Sequence, residues 1–503
     1  MNNPFALVSS KIVRDPAPLE RSDQGQEIPL EIPENEVQFS ELSRVDPVGR
    51  VFQWKERLYR GIFPDYADQT RTLFASGVLD ELADRHLFPR SRVTGHQLAG
   101  FGLVVEHEKI PFVTYPYEWS FTMFQDAALA VLDVVGILEK RGWRLKDYHP
   151  YNILFRNGRA LWIDLGSILP LEGKHADIPL DFLTLYWQPL WLWSRGERFL
   201  AQRIISSGYE TLPAAIWHFL RHPRLFLAGR WIGKALSRSL DRWCFRQASR
   251  LRHLRPGKGL ISFLERLLPA EALIKNRPLL RRKIAALRPA TNALTAWGSY
   301  HEENFREGAL VSNPRFDRIL EIIDQLGCES AVDLAGNQGV VSLLMMERTA
   351  VRRVACLDRD WEAVNRAHLR CQDLLPPSSS KIFQSAIVDL IVPEGGMFER
   401  RPMDRFRSDV ALALAVTHHL TLSDGFPIEE VLRMIAKYTR RFVIIEFMPL
   451  GLWNGTGTPT VPDWYKEEWF ERAFRRFFDV VQREELEINR ILYVGRLKEA
   501  DQK

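Results

Sequence analysis

The sequence predicts a multidomain α/β protein, and three observations carry that prediction. At 503 residues, the chain is too long for one compact core and fits two or three domains. From Glu329 onward, apolar runs separated by helical patterns are typical of a mostly parallel sheet covered by helices on both faces. From Val48 the apolar runs are shorter and alternate with polar residues, which indicates a different, N-terminal domain.

The N-terminal part is expected to begin after a flexible tail. Residues 1 to about 45 are rich in Pro, Glu, Gln and Ser and show no sustained period. The next elements are a hairpin turning at Lys55 and Glu56, one helix, two strands and a long buried helix. Their sequences are VGRVFQW with ERLYRGIF, TRTLFASGVLDELADRH, GFGLVVEHEK, IPFVTYP and Phe124 to Lys140.

The C-terminal part alternates strand and helix and then ends in a helix and an antiparallel hairpin. The alternating segments are SAVDL, VVSLLMMERT, RRVACLD, WEAVNRAHLRC, KIFQSAIVDL, DVALALAV, PIEEVLRMIAKY and RRFVIIEF. The final helix is EWFERAFRRFF, and the hairpin strands are DVVQREELEI and NRILYVGRLK.

Composition limits the class of protein and the compartment. Apolar residues make up 46% and charged residues 26%, which excludes a disordered or fibrous chain. The four cysteines lack close pairing or metal-ligand spacing, so we expect neither a disulfide framework nor a zinc module, and a cytoplasmic location. The N-terminus lacks an apolar signal core, and the most apolar stretch, Phe182 to Trp193, is too short to span a bilayer.

Positive charge is concentrated in one segment. Arg195 to Ala290 contains 21 Lys and Arg and five acids, a net charge of +16; because the whole chain carries +5, the rest carries −11. A uniformly basic nucleic-acid binder would not show this asymmetry, and no specific nucleic acid is predicted. Arg230, Lys234 and Arg238 follow at four-residue steps and form a cationic stripe. The segment either contacts an anionic membrane or polyanion or packs as a helical subdomain; we favour packing.

A ligand-binding turn is expected in AVDLAGNQGVVSLL, residues 331 to 344. A strand ends at Asp333, small residues follow, and a helix begins near Val340, so a ligand can approach the backbone and the helix N-terminus. Asp358 lies nineteen residues after Gly339 at the tip of the next strand, where a carboxylate can hold a ribose diol. Asp389 closes the third strand.

These residues point away from a dinucleotide and toward another cofactor. G-x-G-x-x-G is absent, and Asp333 would repel a pyrophosphate but suit a cationic amino-acid ligand. The pattern resembles the class I S-adenosylmethionine-dependent methyltransferases, whose first motif reads approximately D-x-G-x-x-G. The resemblance implies a Rossmann-like domain with a seven-stranded, mostly parallel sheet. It also implies that Asp333, Ala335, Gly336, Asn337 and Gly339 form the methionine-side turn, that Asp358 holds the ribose and that Asp389 holds the adenine.

A candidate catalytic group follows the fourth strand in ALAVTHHLTLSD. Thr417, His418 and His419 are expected at the carboxyl edge of the sheet, and His419 is the candidate general base. The alternative is that one histidine only packs under the site, since methyl transfer often needs no base. Glu446, Tyr300 and His301 are further residues that could line the site.

A second constellation lies in RLKDYHPYNILF and ALWIDLGSI. Asp147, Asn152 and Asp164 have the spacing at which a kinase-like phosphotransferase orients a hydroxyl (Asp147) and holds Mg²⁺ with ATP (Asn152, Asp164). The match resembles the aminoglycoside phosphotransferase-like branch of the kinase-like fold and implies an α+β lobe. However, a glycine-rich loop is missing, and Arg57 and Arg60 stand where a lysine is expected. An inactive lobe is as consistent with these residues as an active one.

Several motifs together resemble a bacterial family of two-part class I methyltransferases that includes host-specific nodulation methyltransferase-like proteins. The resemblance covers roughly residues 48 to 498 and rests on HEKIPFVTYPYEWSFTMFQDAAL, LKDYHPYNILF, WIDLGS, VDLAGNQG and LALAVTHHL. We therefore expect a tail (1–45), a kinase-like domain (46–195), a basic helical segment (196–295) and a methyltransferase domain (296–503).

The leading hypothesis is an S-adenosylmethionine-dependent methyltransferase that acts on an unidentified O- or N-acceptor and carries a degenerate kinase-like lobe. The alternatives are an ATP-dependent small-molecule phosphotransferase with an accessory methyltransferase domain, and a non-catalytic scaffold.

Overall fold

The structure is a computed structural model that describes most of the chain. The described residues are 30–173, 178–179, 181–206, 274, 276–290, 295, 297–298, 302–306, 309–393, 400–453 and 455–498. The basic helices expected between residues 207 and 273, with Arg230, Lys234 and Arg238, lie outside the described residues, as do Tyr300 and His301.

A five-stranded antiparallel sheet, in the order β1-β2-β3-β5-β4, opens the described chain. Its strands are β1 (Gln38–Phe39), β2 (Gly49–Trp54), β3 (Arg57–Ile62), β4 (Ser91–Val93) and β5 (Leu103–His107). Lys55 and Glu56 join β2 to β3, as expected, and both have positive φ (47° and 67°). Two successive positive φ angles are typical of the two-residue turn that matches the twist of a hairpin.

Three expectations for this part are wrong. Residues 30–45 are not a flexible tail, because Ile32 is only 2% exposed and β1 pairs with β2. The expected single helix is two, α1 (Pro64–Ala75) and α2 (Val78–Asp84), because the chain turns at Gly77 with φ 70°. IPFVTYP forms no strand, since its two prolines cannot donate to a ladder; β4 pairs with β5 instead.

A long core helix, α3 (Phe121–Lys140), organises the rest of the N-terminal part. It begins three residues before the expected Phe124, because Ser120 is the N-cap and its hydroxyl accepts from the Met123 N–H. By length and mean hydropathy (1.7) this helix could cross a membrane, but 72% of that stretch is buried inside the protein, so this is weak evidence for a membrane span.

Two short antiparallel pairs and three helices pack around α3. β6 (Trp143–Leu145) pairs with β9 (Ile168–Pro170), and β7 (Ile153–Arg156) pairs with β8 (Arg159–Trp162). The helices are α4 (Gln188–Ser194), α5 (Arg198–Ser206) and α6 (Arg277–Ala285). The Gln125 amide of α3 donates to the Ile284 carbonyl of α6 over 2.7 Å, so the end of the basic segment is fixed to the core helix.

The C-terminal part is built on a seven-stranded sheet in the order β14-β13-β12-β15-β16-β18-β17. β12 to β16 run parallel to one another, and β18 is antiparallel to both of its neighbours, β16 and β17. The strands are β12 (Ser330–Leu334), β13 (Arg353–Asp358), β14 (Ile382–Ile387), β15 (Ser408–Ala413), β16 (Thr439–Phe447), β17 (Phe478–Glu487) and β18 (Arg490–Leu497); a small hairpin, β10 (Phe305–Arg306) and β11 (Ala309–Leu310), precedes them. The expected alternation of strand and helix is confirmed.

Helices cover this sheet; the second, third, fifth and sixth of those that follow occur in the order that the sequence predicts, whereas the first and the fourth were not predicted. They are α7 (Pro314–Leu326), α8 (Val340–Arg348), α9 (Trp361–Leu374), α10 (Pro402–Arg405), α11 (Ile428–Lys437) and α12 (Glu467–Phe477). In a parallel sheet all carboxyl strand ends meet at one edge, and the turns after β12 to β16 therefore lie side by side.

The two parts share buried contacts. Trp361 and Val364 of α9 belong to the same apolar core as α3, and His368 Nε2 lies 2.8 Å from the Asp126 carboxylate. The Asn157 side chain bonds the edge strand β14 twice, accepting from the Phe383 N–H over 2.8 Å and donating to the Lys381 carbonyl over 2.9 Å. These contacts cover one edge of the seven-stranded sheet with the N-terminal part.

Candidate cofactor site

A cavity of about 590 Å³ opens at the carboxyl edge of the seven-stranded sheet. This is the edge where open α/β sheets bind ligands. The lining contains every residue expected to hold a cofactor except Gly339. These lining residues are Asp333, Ala335, Gly336, Asn337, Asp358 and Asp389.

The turn from β12 to α8 has an unusual backbone. Ala335, Asn337 and Gly339 all have positive φ, at 56°, 51° and 73°. Alanine thus adopts the left-handed conformation at a position where the resembling family has glycine, at a cost of about 1–2 kcal/mol. Gly339 lies behind the cavity wall and provides the left-handed residue from which α8 begins.

Gly336 is needed for close packing of this turn. A Cβ atom at this position would lie 2.7 Å from the Asp333 Cγ and 2.8 Å from the Cys356 Sγ. Such distances are far below van der Waals contact, so a side chain would displace the turn. The turn therefore lies directly on Asp333.

Asp333 is a buried carboxyl group with one hydroxyl partner. It is 2% exposed, and the Ser342 Oγ donates to it over 2.7 Å. Burial raises its pKa to about 7, with Asp358 adding to the shift and Arg315 opposing it. A cation bound beside Asp333 would favour its charged form.

Asp358 is less accessible than the sequence suggests. It is 8% exposed, and its two oxygens accept 2.8 Å hydrogen bonds from the Asn337 and Asp360 backbone N–H groups. Burial raises its pKa to about 6. Beyond the expected place at a strand tip, Asp358 thus also braces the turn through the Asn337 N–H. Each carboxylate oxygen has a second lone pair, so further hydrogen bonds to a ligand are compatible with this role.

Asp389 lies two residues beyond the end of β14. Its Oδ1 accepts from the Ile391 and Val392 N–H groups, both over 2.9 Å, which fixes the carboxylate at the cavity wall. Val388 and Leu390 flank it in the cavity lining. An acid between two apolar side chains suits a flat ring that carries an amine.

Both histidines after β15 reach the cavity. His418 is 5% exposed, and its Nδ1 has no hydrogen-bond partner among the described residues. His419 is half-buried, and its ring packs edge-on against Trp297, with centroids 5.0 Å apart. Burial lowers the pKa of both, to about 3 for His418, so both imidazoles are neutral at pH 7. Thr417 is buried instead, and its hydroxyl donates to the Glu446 carbonyl over 3.3 Å.

Sequence reasoning missed two arginines in the lining, Arg315 and Arg490. Both pair with Glu446, which is fully buried beneath them rather than in the lining. Further lining residues that the sequence analysis missed include Trp297, Val388, Leu390, Met448, Leu452 and Trp453. No local motif marks these residues, because they come from segments far apart in the chain.

The second constellation is paired internally. The Asn152 amide donates to the Asp147 carboxylate over 3.1 Å. The Arg60 guanidinium, only 4% exposed, lies 3.3 Å from the Asp164 Oδ1 and forms a second ion pair with Asp46. Within the described part of the chain, no group of three or more His, Cys, Asp or Glu residues could hold a metal ion.

The fold and the cavity thus define an α/β protein with a ligand-sized site at the carboxyl edge of a mostly parallel sheet. The chain is similar to nodulation protein NoeA of Rhizobium meliloti (strain 1021), with 27% identity over 418 residues, which cover 80% of this chain and 83% of that protein. No family model matches the chain.

Two solved structures are also similar to this chain. The methyltransferase domain of bacterial CtHen1-C has 17% identity and a TM-score of 0.29, with 36% of this chain and 96% of that chain covered. Magnesium protoporphyrin IX methyltransferase (ChlM) from Synechocystis PCC 6803, solved with bound SAH, has 16% identity and a TM-score of 0.28, with 36% and 82% covered.

Proposed function

We propose that this protein is an S-adenosylmethionine-dependent methyltransferase that methylates an oxygen or nitrogen of an unidentified acceptor. The observation that carries the proposal is the placement of Asp333, Asp358 and Asp389 at the carboxyl ends of three neighbouring strands around one cavity. The resemblance described above gives these carboxylates their roles at the cationic amino acid, the ribose and the adenine. The absence of G-x-G-x-x-G disfavours a dinucleotide.

The residues of the turn fit such a cofactor. Gly336 lets the turn pack directly on Asp333 at the cavity wall, and the Asn337 Oδ1 is a buried acceptor without a partner among the described residues. An ammonium group in the ligand would supply the missing donor. When bound, S-adenosylmethionine supplies an electrophilic methyl group that passes to the acceptor and leaves neutral S-adenosylhomocysteine.

The chain itself contributes positioning and a candidate base. His419, neutral and at the cavity wall, is placed to take a proton from an acceptor hydroxyl or amine. Because burial lowers its pKa, it is a weak base, and alignment of the two reactants is expected to contribute more to the rate.

The N-terminal part is proposed to be a non-catalytic lobe that supports the methyltransferase domain in the cytoplasm. Asp164, the expected Mg²⁺ ligand, already pairs with Arg60, and Asp46 supplies a further negative charge where phosphates would need a cation. These residues therefore provide little binding free energy for ATP-Mg²⁺. The buried Glu118–Arg405 pair and the Asn157 contacts support a bracing role.

Cofactor binding tests the function directly. Titration calorimetry with S-adenosylhomocysteine is expected to show binding that falls roughly ten- to hundredfold in Asp358→Asn, since a charged hydrogen-bond partner is worth about 1.5–3 kcal/mol. Asp373→Asn, an exposed acid on α9, is the matched control and should bind normally.

Thermal shift separates the alternatives. S-adenosylhomocysteine should raise the melting temperature, whereas NAD and ATP-Mg²⁺ should not. A rise with NAD or ATP-Mg²⁺ alone, or unchanged affinity in folded Asp358→Asn, would contradict the proposal.

A further inference from the structure

Apart from Arg359 and Asp424, which pair with each other over 3.0 Å, the charged residues of the cavity lining fall into two groups of opposite charge, an acidic half and a basic half. The acidic half, defined by Asp333, Asp358 and Asp389, lies at the ends of β12, β13 and β14. The basic half lies beyond β15 and is defined by Arg315, Arg490 and His418. β18, where Arg490 begins the strand, is three strands from β12, and at about 4.8 Å per strand this separates them by roughly 14 Å.

The basic half is built on a buried ion-pair cluster. Glu446 is fully buried and accepts from the Arg315 Nε (2.6 Å), the Arg315 Nη2 (2.7 Å) and the Arg490 Nη1 (3.0 Å). The Arg490 Nε pairs with Glu487 over 2.9 Å, but that carboxylate has a half-exposed side chain and is screened by water. Two guanidinium groups are therefore held against one buried carboxylate.

Hydrogen-bonding capacity remains in this half. Among the described residues, the Nη1 of Arg315 and the Nη2 of Arg490 have no acceptor, although both arginines line the cavity. His418 is only 5% exposed, and its Nδ1 also lacks a hydrogen-bond partner among the described residues. The two guanidinium edges face the cavity, whereas the His418 Nδ1 is a buried polar atom without a partner in the described part of the chain, which is rare in proteins and indicates a missing ligand or water.

We propose that the basic half binds an anionic group of the methyl acceptor, so that the acceptor is a small molecule with a carboxylate or phosphate near its nucleophile. The inference rests on the proposed methyl-transfer function. A guanidinium with a free edge suits either anion, because its planar donors match two oxygens at once. Met448, Leu452 and Trp453 provide an apolar wall for the remainder of the acceptor.

S-adenosylmethionine has a carboxylate of its own, so both the cofactor and the acceptor are sources of an anionic group for the basic half. The positions of the two arginines distinguish these two sources. Arg490 begins β18, three strands from β12, and its Nη1 donates to the Sδ of Met448 in the apolar wall over 3.7 Å. Arg315 also acts electrostatically on Asp333, which links it to the acidic half. Arg490 is therefore the residue assigned to the acceptor.

The test measures binding of inorganic phosphate and of malonate to the protein saturated with S-adenosylhomocysteine, by calorimetry. We expect saturable anion binding that weakens at least tenfold in Arg490→Gln, while affinity for S-adenosylhomocysteine changes less than twofold. Arg490→Lys should recover part of the anion affinity. Arg483→Gln is the matched control, because Arg483 lies on β17, pairs with Glu467 of α12 and is not in the cavity lining.

Three outcomes would overturn the assignment. These are the absence of anion binding in the wild type, unchanged anion affinity in Arg490→Gln, and a loss confined to S-adenosylhomocysteine, which would give the arginine to the cofactor. If Arg490→Gln does not fold because Glu446 is left buried, the double variant Arg490→Gln, Glu446→Gln removes both charges and gives the same readout. Anion titration without S-adenosylhomocysteine keeps this test independent of cofactor binding.

Discussion

The two motif-bearing regions differ in how their charges are balanced. Around the C-terminal cavity, the carboxylates of Asp333 and Asp358 are buried with only a hydroxyl and backbone N–H groups as hydrogen-bond partners. In the N-terminal part, Asp164 pairs with the Arg60 guanidinium. Motif spacing predicts where acids gather in both regions. The ion pairs distinguish the two regions. The acids at the cavity keep an unsatisfied charge, which favours a cationic ligand, whereas the charge of Asp164 is already neutralised by Arg60.

The largest effect is expected from adding a side chain at Gly336, in the turn between β12 and α8. Gly336→Ala places a Cβ within 2.8 Å of both Asp333 and Cys356, so the turn must move. We expect cofactor binding to fall at least a thousandfold, about 4 kcal/mol, as measured by calorimetry with S-adenosylhomocysteine.

The control for that variant is Gly142→Ala. Gly142 has φ 79° and nothing within 4 Å of an added Cβ, so its substitution tests backbone strain without a clash. It should lower stability by about 1 kcal/mol and leave cofactor affinity unchanged. Normal affinity in Gly336→Ala would show that the turn does not contact the cofactor.

Removing the charge of Asp333 gives the next largest effect. Its pKa is about 7 in the folded protein against 3.8 ordinarily, so the folded state binds the proton more tightly than the unfolded state. Protonated Asp333 contributes favourably to the free energy of unfolding below about pH 4, and this contribution is lost as pH rises through 7. The difference is up to roughly 4 kcal/mol. Asp333→Asn should therefore gain stability over wild type between pH 4 and pH 8 in denaturant unfolding.

Cofactor affinity should show the opposite trend in the same variant. A cationic ligand favours ionised Asp333, so wild-type affinity for S-adenosylmethionine should rise between pH 6 and pH 8. In Asp333→Asn this rise should disappear. An equal slope in both proteins would show that another group, such as Asp358 with its pKa of about 6, controls the titration.

The sequence correctly predicts that the three acids and His418 meet at one edge of the sheet, but it does not predict the two arginines of the basic half. The acids follow neighbouring parallel strands, and their order in the chain is enough to bring them together. Arg315 and Arg490 are 175 positions apart and meet only because β16 and β18 are adjacent in the sheet and α7 begins near them. A shift of the strand register by two residues would have separated the two arginines, and no local sequence pattern encodes the register.

The same limit explains the errors in the N-terminal part. IPFVTYP has the composition of a strand, yet its segment is irregular, and the Val113 carbonyl accepts from Arg405 of the other part. In the C-terminal part, the burial of Asp358 was not predicted either, because the Asn337 N–H that donates to its carboxylate is 21 positions away. Long-range hydrogen bonds of this kind cannot be read from composition or spacing.

A smaller effect is expected from the paired constellation. Asp164→Asn removes one of two acids that pair with buried Arg60, and stability should fall by about 1–3 kcal/mol in thermal unfolding. Methyl transfer and cofactor affinity should stay near normal. ATP turnover should be undetectable before and after the change. Mg²⁺-dependent ATP hydrolysis by the wild type that disappears in Asp147→Ala would instead show an active phosphotransferase.

The smallest effect is expected in the basic segment. Its two described ends, α5 and α6, pack within the N-terminal part: Ala201 and Ile205 of α5 are buried, and Arg277 of α6 pairs with Glu139 of α3 over 2.6 Å. At this described end of the segment, the basic side chain of Arg277 therefore takes part in an ion pair, and packing stays our prediction for the rest of the segment.

Replacing Arg230, Lys234 and Arg238 by Gln distinguishes packing from surface binding. If the segment packs, the triple variant should differ from wild type by less than about 0.5 kcal/mol, because solvated charges contribute little to stability. Neither protein should then sediment with anionic liposomes. If the segment binds an anionic membrane or polyanion, wild-type binding should fall steeply with salt, since each neutralised phosphate releases a counterion, and the variant should show a shallower slope. Sedimentation of the wild type with liposomes at low salt, abolished in the triple variant, would contradict the packing interpretation.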